Sequence, residues 1–183
     1  MFKFLTSNSW QFLLAQLFGI MAVIFNIITV HFKTKEKILI CNIFSNLIVA
    51  IQFFLLNAIT GGIISLINVL RCIIFYYFKK KNKKPSLLLL IIFELIVVIS
   101  GIISFQNIWS IIPIIATLTY TYGLWQDDVK TIKYISAIIG FEWSIYDLIV
   151  KAYVGFVQGI IQFISSVIAI IKYKKYNKNI EER

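Results

Sequence analysis

Charged and chemically reactive side chains are scarce in this chain. Only 14% of its 183 residues are charged, and acids are the rarer sign, eight against eighteen Lys and Arg. His31 is the single histidine, with no second ligand at metal-binding spacing. The two cysteines, Cys41 and Cys72, each stand alone within an apolar run, so they read as small core residues. Nucleophile-elbow, phosphate-loop and H-E-x-x-H patterns are missing. The expectation is therefore no enzyme, no cofactor and no metal. Polar sequence is short altogether: 60% of residues are apolar, 16% aromatic, and mean hydropathy is +0.87. Soluble domains run at about 45–50% apolar, and this chain has too little polar sequence to coat a soluble core. It reads as an all-α polytopic membrane protein, one membrane domain over 1–183.

What is abundant is apolar sequence in runs of helix length. A helix needs roughly 20 such residues to cross a bilayer. Seven runs qualify as transmembrane helices: 10–32, 38–58, 61–79, 87–105, 108–125, 131–150 and 154–171. The first is too long for the apolar region of a signal peptide and has no small-residue cleavage site. Pro85 opens the fourth, and Pro113 falls in the first turns of the fifth. Basic residues cluster between the runs. With the N-terminus outside, fifteen of the eighteen fall in inner segments, Lys3 and Lys151 fall outside, and Arg71 lies within a span. The positive-inside rule then sets the N-terminus outside and the C-terminus in the cytoplasm. Clusters of this kind orient the chain and meet lipid headgroups; they are not a nucleic-acid surface. Trp109, Trp125, Tyr76 and Tyr77 stand at span ends, where an aromatic belt sits.

A repeat underlies the seven runs. Shifting the chain by 94 residues without a gap sets runs one to three on runs five to seven. Ala22 then falls on Ala116, Ala58 on Ala152, Gly61 on Gly155, and Lys80-Lys81 on Lys174-Lys175. Four helices separate the copies, an even number, so both point the same way. The expected architecture is two parallel three-helix bundles, 10–80 and 108–173, joined by a linker helix at 87–105, with a cytoplasmic tail at 174–183.

Polar side chains inside such spans are costly and usually face inward. At about 1.5 Å of rise per residue, Arg71 and Glu94 lie at similar depth on consecutive helices, and Glu142 lies within a turn of that level. Arg71 is expected to form a charge pair with Glu94 as a brace, or with Glu142 across a central cavity. Asn42 and Asn46 stand one turn apart on the second helix, Gln158 and Gln162 likewise on the seventh. The 94-residue shift sets Gln162 on Asn68, an amide opposite an amide. Trp143 lies deep enough to stack on a ring-shaped solute, and Asp147 lies nearer the outer face.

The three-one-three layout resembles the SWEET and PQ-loop transporters. The segments Ile67-Asn68-Val69-Leu70-Arg71, Ile112-Pro113-Ile114-Ile115-Ala116-Thr117, Gly123-Leu124-Trp125 and 155–175 resemble the YgjV-type bacterial inner-membrane family, over residues 10–176. That resemblance implies a multipass protein of the bacterial inner membrane, and implies architecture more than chemistry. SWEET-type proteins line their sugar site with matching asparagines on helices three and seven, which correspond here to Asn68 and Gln162. This chain has no Pro-Gln dipeptide, and Trp143-Ser-Ile-Tyr146 is followed by Asp147 where those transporters have glycine. The expected function is alternating-access carriage of a small polar solute, with Asn68, Gln162, Trp143, Glu142, Tyr146 and Asn46 at the substrate. A non-transporting receptor or assembly protein on the same scaffold stays open, as does a vitamin-precursor transporter like those for nicotinamide riboside. The expected partners are the lipid bilayer and a small polar solute, not nucleic acid, and a homo-oligomer is open.

Overall fold

The computed structural model describes residues 9–32, 34–126 and 129–164. Among the described residues every regular element is helical. In chain order they are α1 (Ser9–His31), α2 (Lys35–Leu55), α3 (Ile59–Lys80), α4 (Leu87–Ile103), α5 (Ile111–Trp125), α6 (Val129–Ile149) and α7, described over Tyr153–Ile164. A 3-10 turn, Ile108–Ser110, leads into α5. Three segments are each long and apolar enough to cross a membrane: Lys35–Leu55, Ile59–Lys80 and Ile108–Trp125. Trp10–Asn26, Leu87–Ile103 and Tyr153–Ile164 are apolar and shorter. The expected far half of the seventh helix and the tail at 174–183 lie outside the described residues.

Local sequence explains the helix ends. Ser86 caps α4, its hydroxyl accepting from the Leu89 N–H. Asn107 and Ser110 form a reciprocal capping box at the turn before α5. That turn sets Pro113 early in α5, where a missing N–H costs little. The basic stretch expected as a loop at 33–37 is helical from Lys35 onward, with Glu36 in the first turn, where the helix dipole favours an acid.

The α2–α3 and α6–α7 turns are built alike. Asn57 and Lys151 both take positive φ, 57° and 65°. In the first turn the Ala58 N–H reaches Phe53 O and the Asn57 N–H reaches Phe54 O; in the second, Ala152 reaches Asp147 O and Lys151 reaches Leu148 O. These are two Schellman ends, satisfying the last carbonyls of α2 and α6. Their positions differ by 94 residues, as do both ends of α2 and α6, the starts of α3 and α7, and the ends of α1 and α5.

Side-chain packing positions the interior. α2 lies against α1 and α3, α5 against α3 and α6, and α4 against α3 and α5. α6 meets α7 through small residues: a Cβ on Gly159 would stand 2.0 Å from Ser144 Oγ and 2.7 Å from Gly140 O. The outward face of α4 stays apolar and open, with Leu88 67% and Ile103 80% exposed. Acyl chains tolerate such a face; water does not. At the other rim Trp125 donates its indole N–H to Pro85 O, and the Lys84 ammonium sits 4.0 Å from the Trp125 ring centroid.

A central polar cavity as the candidate functional site

A cavity of about 140 Å³ lies among α1, α2, α3, α5, α6 and α7, and α4 contributes nothing to its walls. Its lining is rich in amides: Asn26, Asn42, Asn46, Gln52, Asn68, Gln158 and Gln162. Ser45, Ser65, Thr117 and Tyr120 add hydroxyls, and Asp147 is the only charged residue among the described lining residues. The lining also follows the repeat. It includes seven pairs of residues 94 apart, among them Asn26 with Tyr120, Asn46 with Gly140, Asn68 with Gln162, and Phe53 with Asp147.

The walls are held by bonds between helices. Asn42 Nδ2 donates to the Tyr120 hydroxyl at 2.8 Å, joining α2 to α5. Asn68 Nδ2 reaches Thr117 Oγ1 at 3.4 Å, joining α3 to α5. Gln162 Nε2 donates to Ser136 O at 3.3 Å, joining α7 to α6. Asn46 Nδ2 turns back to Asn42 O at 2.7 Å. Several polar atoms around the cavity have no protein partner: Asn68 Oδ1, Gln52 Nε2 and Ser65 Oγ. A buried polar atom left unpaired costs about 1–3 kcal/mol, so the cavity suits water or a polar guest that can meet them.

Of the residues expected at the substrate, Asn68, Gln162, Trp143 and Asn46 line this cavity together. Trp143 is stacked on Phe53, with ring centroids 5.8 Å apart. Glu142 and Tyr146 are not among its walls. Tyr146 is buried against α3, where its hydroxyl accepts from the Gly61 N–H at 3.2 Å. Glu142 is half-buried, with Oε2 buried and unpartnered. Each stands one residue from a lining position, Trp143 or Asp147, and one residue turns a side chain by about 100° around a helix.

Arg71 is 1% exposed, and the hydrogen bonds of its guanidinium run to α5. Its Nη1 donates to Thr117 O at 3.3 Å and Thr121 Oγ1 at 2.5 Å, and the group lies 5.2 Å from the Tyr120 ring centroid. Nε and Nη2 have no hydrogen-bond partner. The expected charge pair is thus replaced. Arg71 turns toward α5 and the back of the cavity wall rather than to Glu94 on α4 or Glu142 on α6, because α5 packs beside α3 and offers a carbonyl, a hydroxyl and an aromatic face.

Sequence reasoning passed over Thr117, Tyr120, Gln52 and Asp147 as cavity residues. Two signals could have found some of them. Tyr120 falls on Asn26 under the 94-residue shift, a polar pair, and Asp147 stands one helical turn after Trp143 on the same face.

Helices long and apolar enough to cross a membrane, packed around an amide-lined cavity, are the marks of a membrane protein with a polar interior. The chain belongs to the Imp-YgjV family, described as bacterial inner membrane protein, whose model matches residues 13–177. Among curated proteins and among solved structures, no match was found.

Proposed function

We propose that this inner-membrane protein is a carrier for a small polar solute, and that the central cavity is where the solute binds. Seven spans form two parallel three-helix bundles, 10–80 and 108–173, with 87–105 as the linker helix. The N-terminus faces outward and the tail at 174–183 faces the cytoplasm. The observation that carries this reading is the cavity's composition: amides and hydroxyls from both halves, two of its 94-residue pairs, Asn26 with Tyr120 and Asn68 with Gln162, being polar on both sides, with orphaned polar atoms beside it. A dry, side-chain-filled centre would have favoured a receptor or assembly protein. Alternating access comes from the two halves rocking about Asn68, Gln162, Trp143 and Asn46, the geometry expected when a binding site lies between repeats. Carriage needs no covalent chemistry, no cofactor and no metal. The exposed face of α4 meets lipid or a second copy of the chain.

The test is uptake into liposomes of sugars, nucleosides, amino acids and small amines by wild type and by Asn68→Ala. Saturable uptake of at least one solute, with a loss of about tenfold or more in the variant, is the expected result. No flux of any solute through folded, reconstituted protein would sink the carrier.

A further inference from the structure

Asp147 breaks the cavity's symmetry. Its 94-residue partner is Phe53, so one half presents a ring where the other presents a carboxyl group, and both line the same space. Asp147 is 8% exposed, and no side-chain hydrogen bond or ion pair holds its carboxyl group among the described residues. Its Oδ2 is packed so close to α7 that a Cβ on Gly155 would stand 2.5 Å away. Among the described residues no Lys, Arg or His lines the cavity; Arg71 stands outside the walls, bonded to Thr117 and Thr121.

An ionised carboxylate in a mostly buried site is unfavourable without a cation. The protein supplies none here, yet it keeps the acid, at the cavity end nearest the α6–α7 turn, where Phe53 and Trp143 present aromatic walls. Aromatic faces attract ammonium groups as well. Toward the other end, the unpaired Asn68 Oδ1 and the amide groups accept or donate hydrogen bonds to a neutral polar remainder.

We infer that the solute carries an ammonium group, bound by Asp147, with a short polar body directed at Asn68 and its neighbours. This rests on reading the cavity as a solute site and narrows the class of solute it takes. The volume, about 140 Å³, limits the solute to a small amine or zwitterion.

The test uses matched pairs that differ in the ammonium group alone: ethanolamine against ethane-1,2-diol, 3-aminopropanol against propane-1,3-diol, and 4-aminobutanol against butane-1,4-diol. Binding to purified protein in detergent is read by thermal stabilisation at constant ionic strength, for wild type, Asp147→Asn and Asp147→Glu. At least one amine should bind wild type tenfold or more tightly than its diol. That advantage should vanish in Asp147→Asn and persist in part in Asp147→Glu. Equal binding of amines and diols, an advantage that survives Asp147→Asn, or no binding of any amine to wild type would each overturn the inference. The wild-type comparison needs no variant to fold. Liposome flux separates the two proposals: amine binding without flux leaves the site and removes the carrier. Flux of neutral solutes alone, driven by a pH gradient and uncoupled in Asp147→Asn, makes Asp147 a proton site and overturns the ammonium assignment.

Discussion

Residues 9–80 and 108–164 make a controlled comparison within one chain. The two segments share helix ends, turn geometry and cavity positions at a constant 94-residue offset, yet they are filled differently. The αL residue is Asn57 in one turn and Lys151 in the other. Each turn is also tied by a distant glutamine, though not at matched positions: Gln106 Nε2, between α4 and α5, donates to Asn57 O at 3.1 Å, and Gln16 Nε2 on α1 donates to Lys151 O at 2.9 Å. What differs is charge. The first half carries a buried cation, Arg71, where the second has Ser165 in sequence; the second carries a buried acid, Asp147, where the first has Phe53. A shared backbone plan with unshared charges separates what the scaffold requires from what the site requires.

Substitutions at paired positions can break or sharpen that separation. The largest effect is expected at the α6–α7 contact. Gly159→Leu must push a side chain into Ser144 and the Gly140 carbonyl, and overpacking of this kind costs about 3 kcal/mol. Its partner, Ser65→Ala, removes an unpartnered buried hydroxyl and should leave the melting temperature in detergent unchanged or slightly raised. A loss at Ser65 as large as that at Gly159 would mean that the Ser65 hydroxyl is held by a partner after all.

Arg71→Met comes next, with the opposite sign. Two of the guanidinium nitrogens lack partners and no acid faces the group, so an apolar replacement of similar length should be neutral or stabilise by up to about 2 kcal/mol. Clear destabilisation in thermal unfolding would show that the bonds to Thr117 and Thr121, with the Tyr120 ring, outweigh the desolvation.

The αL turns give a smaller pair of effects. A lysine at positive φ is strained by about 1 kcal/mol, while asparagine adopts that conformation more readily. Lys151→Gly should therefore stabilise measurably and Asn57→Gly by less, and equal gains would contradict the shared turn geometry. Smallest is the effect at the two glutamine ties to these turns. Gln16 also accepts from the Val154 N–H at 3.4 Å and is partly buried, whereas Gln106 is exposed. Gln16→Leu should cost about 1 kcal/mol and Gln106→Leu a few tenths, read from the same unfolding curves.

Much of this molecule was legible along the helix axis and much less around it. The apolar runs, their interruptions and the basic clusters located the helices to within a few residues, since span length and turn chemistry are local properties. The constant offset brought Asn68 and Gln162 into correspondence, and both line one cavity. Glu142 and Tyr146 stay out of the cavity lining for a rotational reason: they neighbour lining residues, and each helical step turns about 100°. Arg71 with Glu94 failed similarly. Equal depth on consecutive helices says nothing about which neighbour a long side chain will meet.

By itself, then, the sequence determined a helical membrane chain, a repeat of 94 residues and the identity of the polar groups placed in its interior, because hydrophobic length and charge clustering act without tertiary context. Only the folded arrangement decided which of those groups share a cavity and which are spent on packing. It turned Arg71 to α5, buried Tyr146 against Gly61 and set Asp147 in the cavity wall. The azimuth of a side chain depends on which helix lies alongside, and that is settled by close packing between segments distant in the chain.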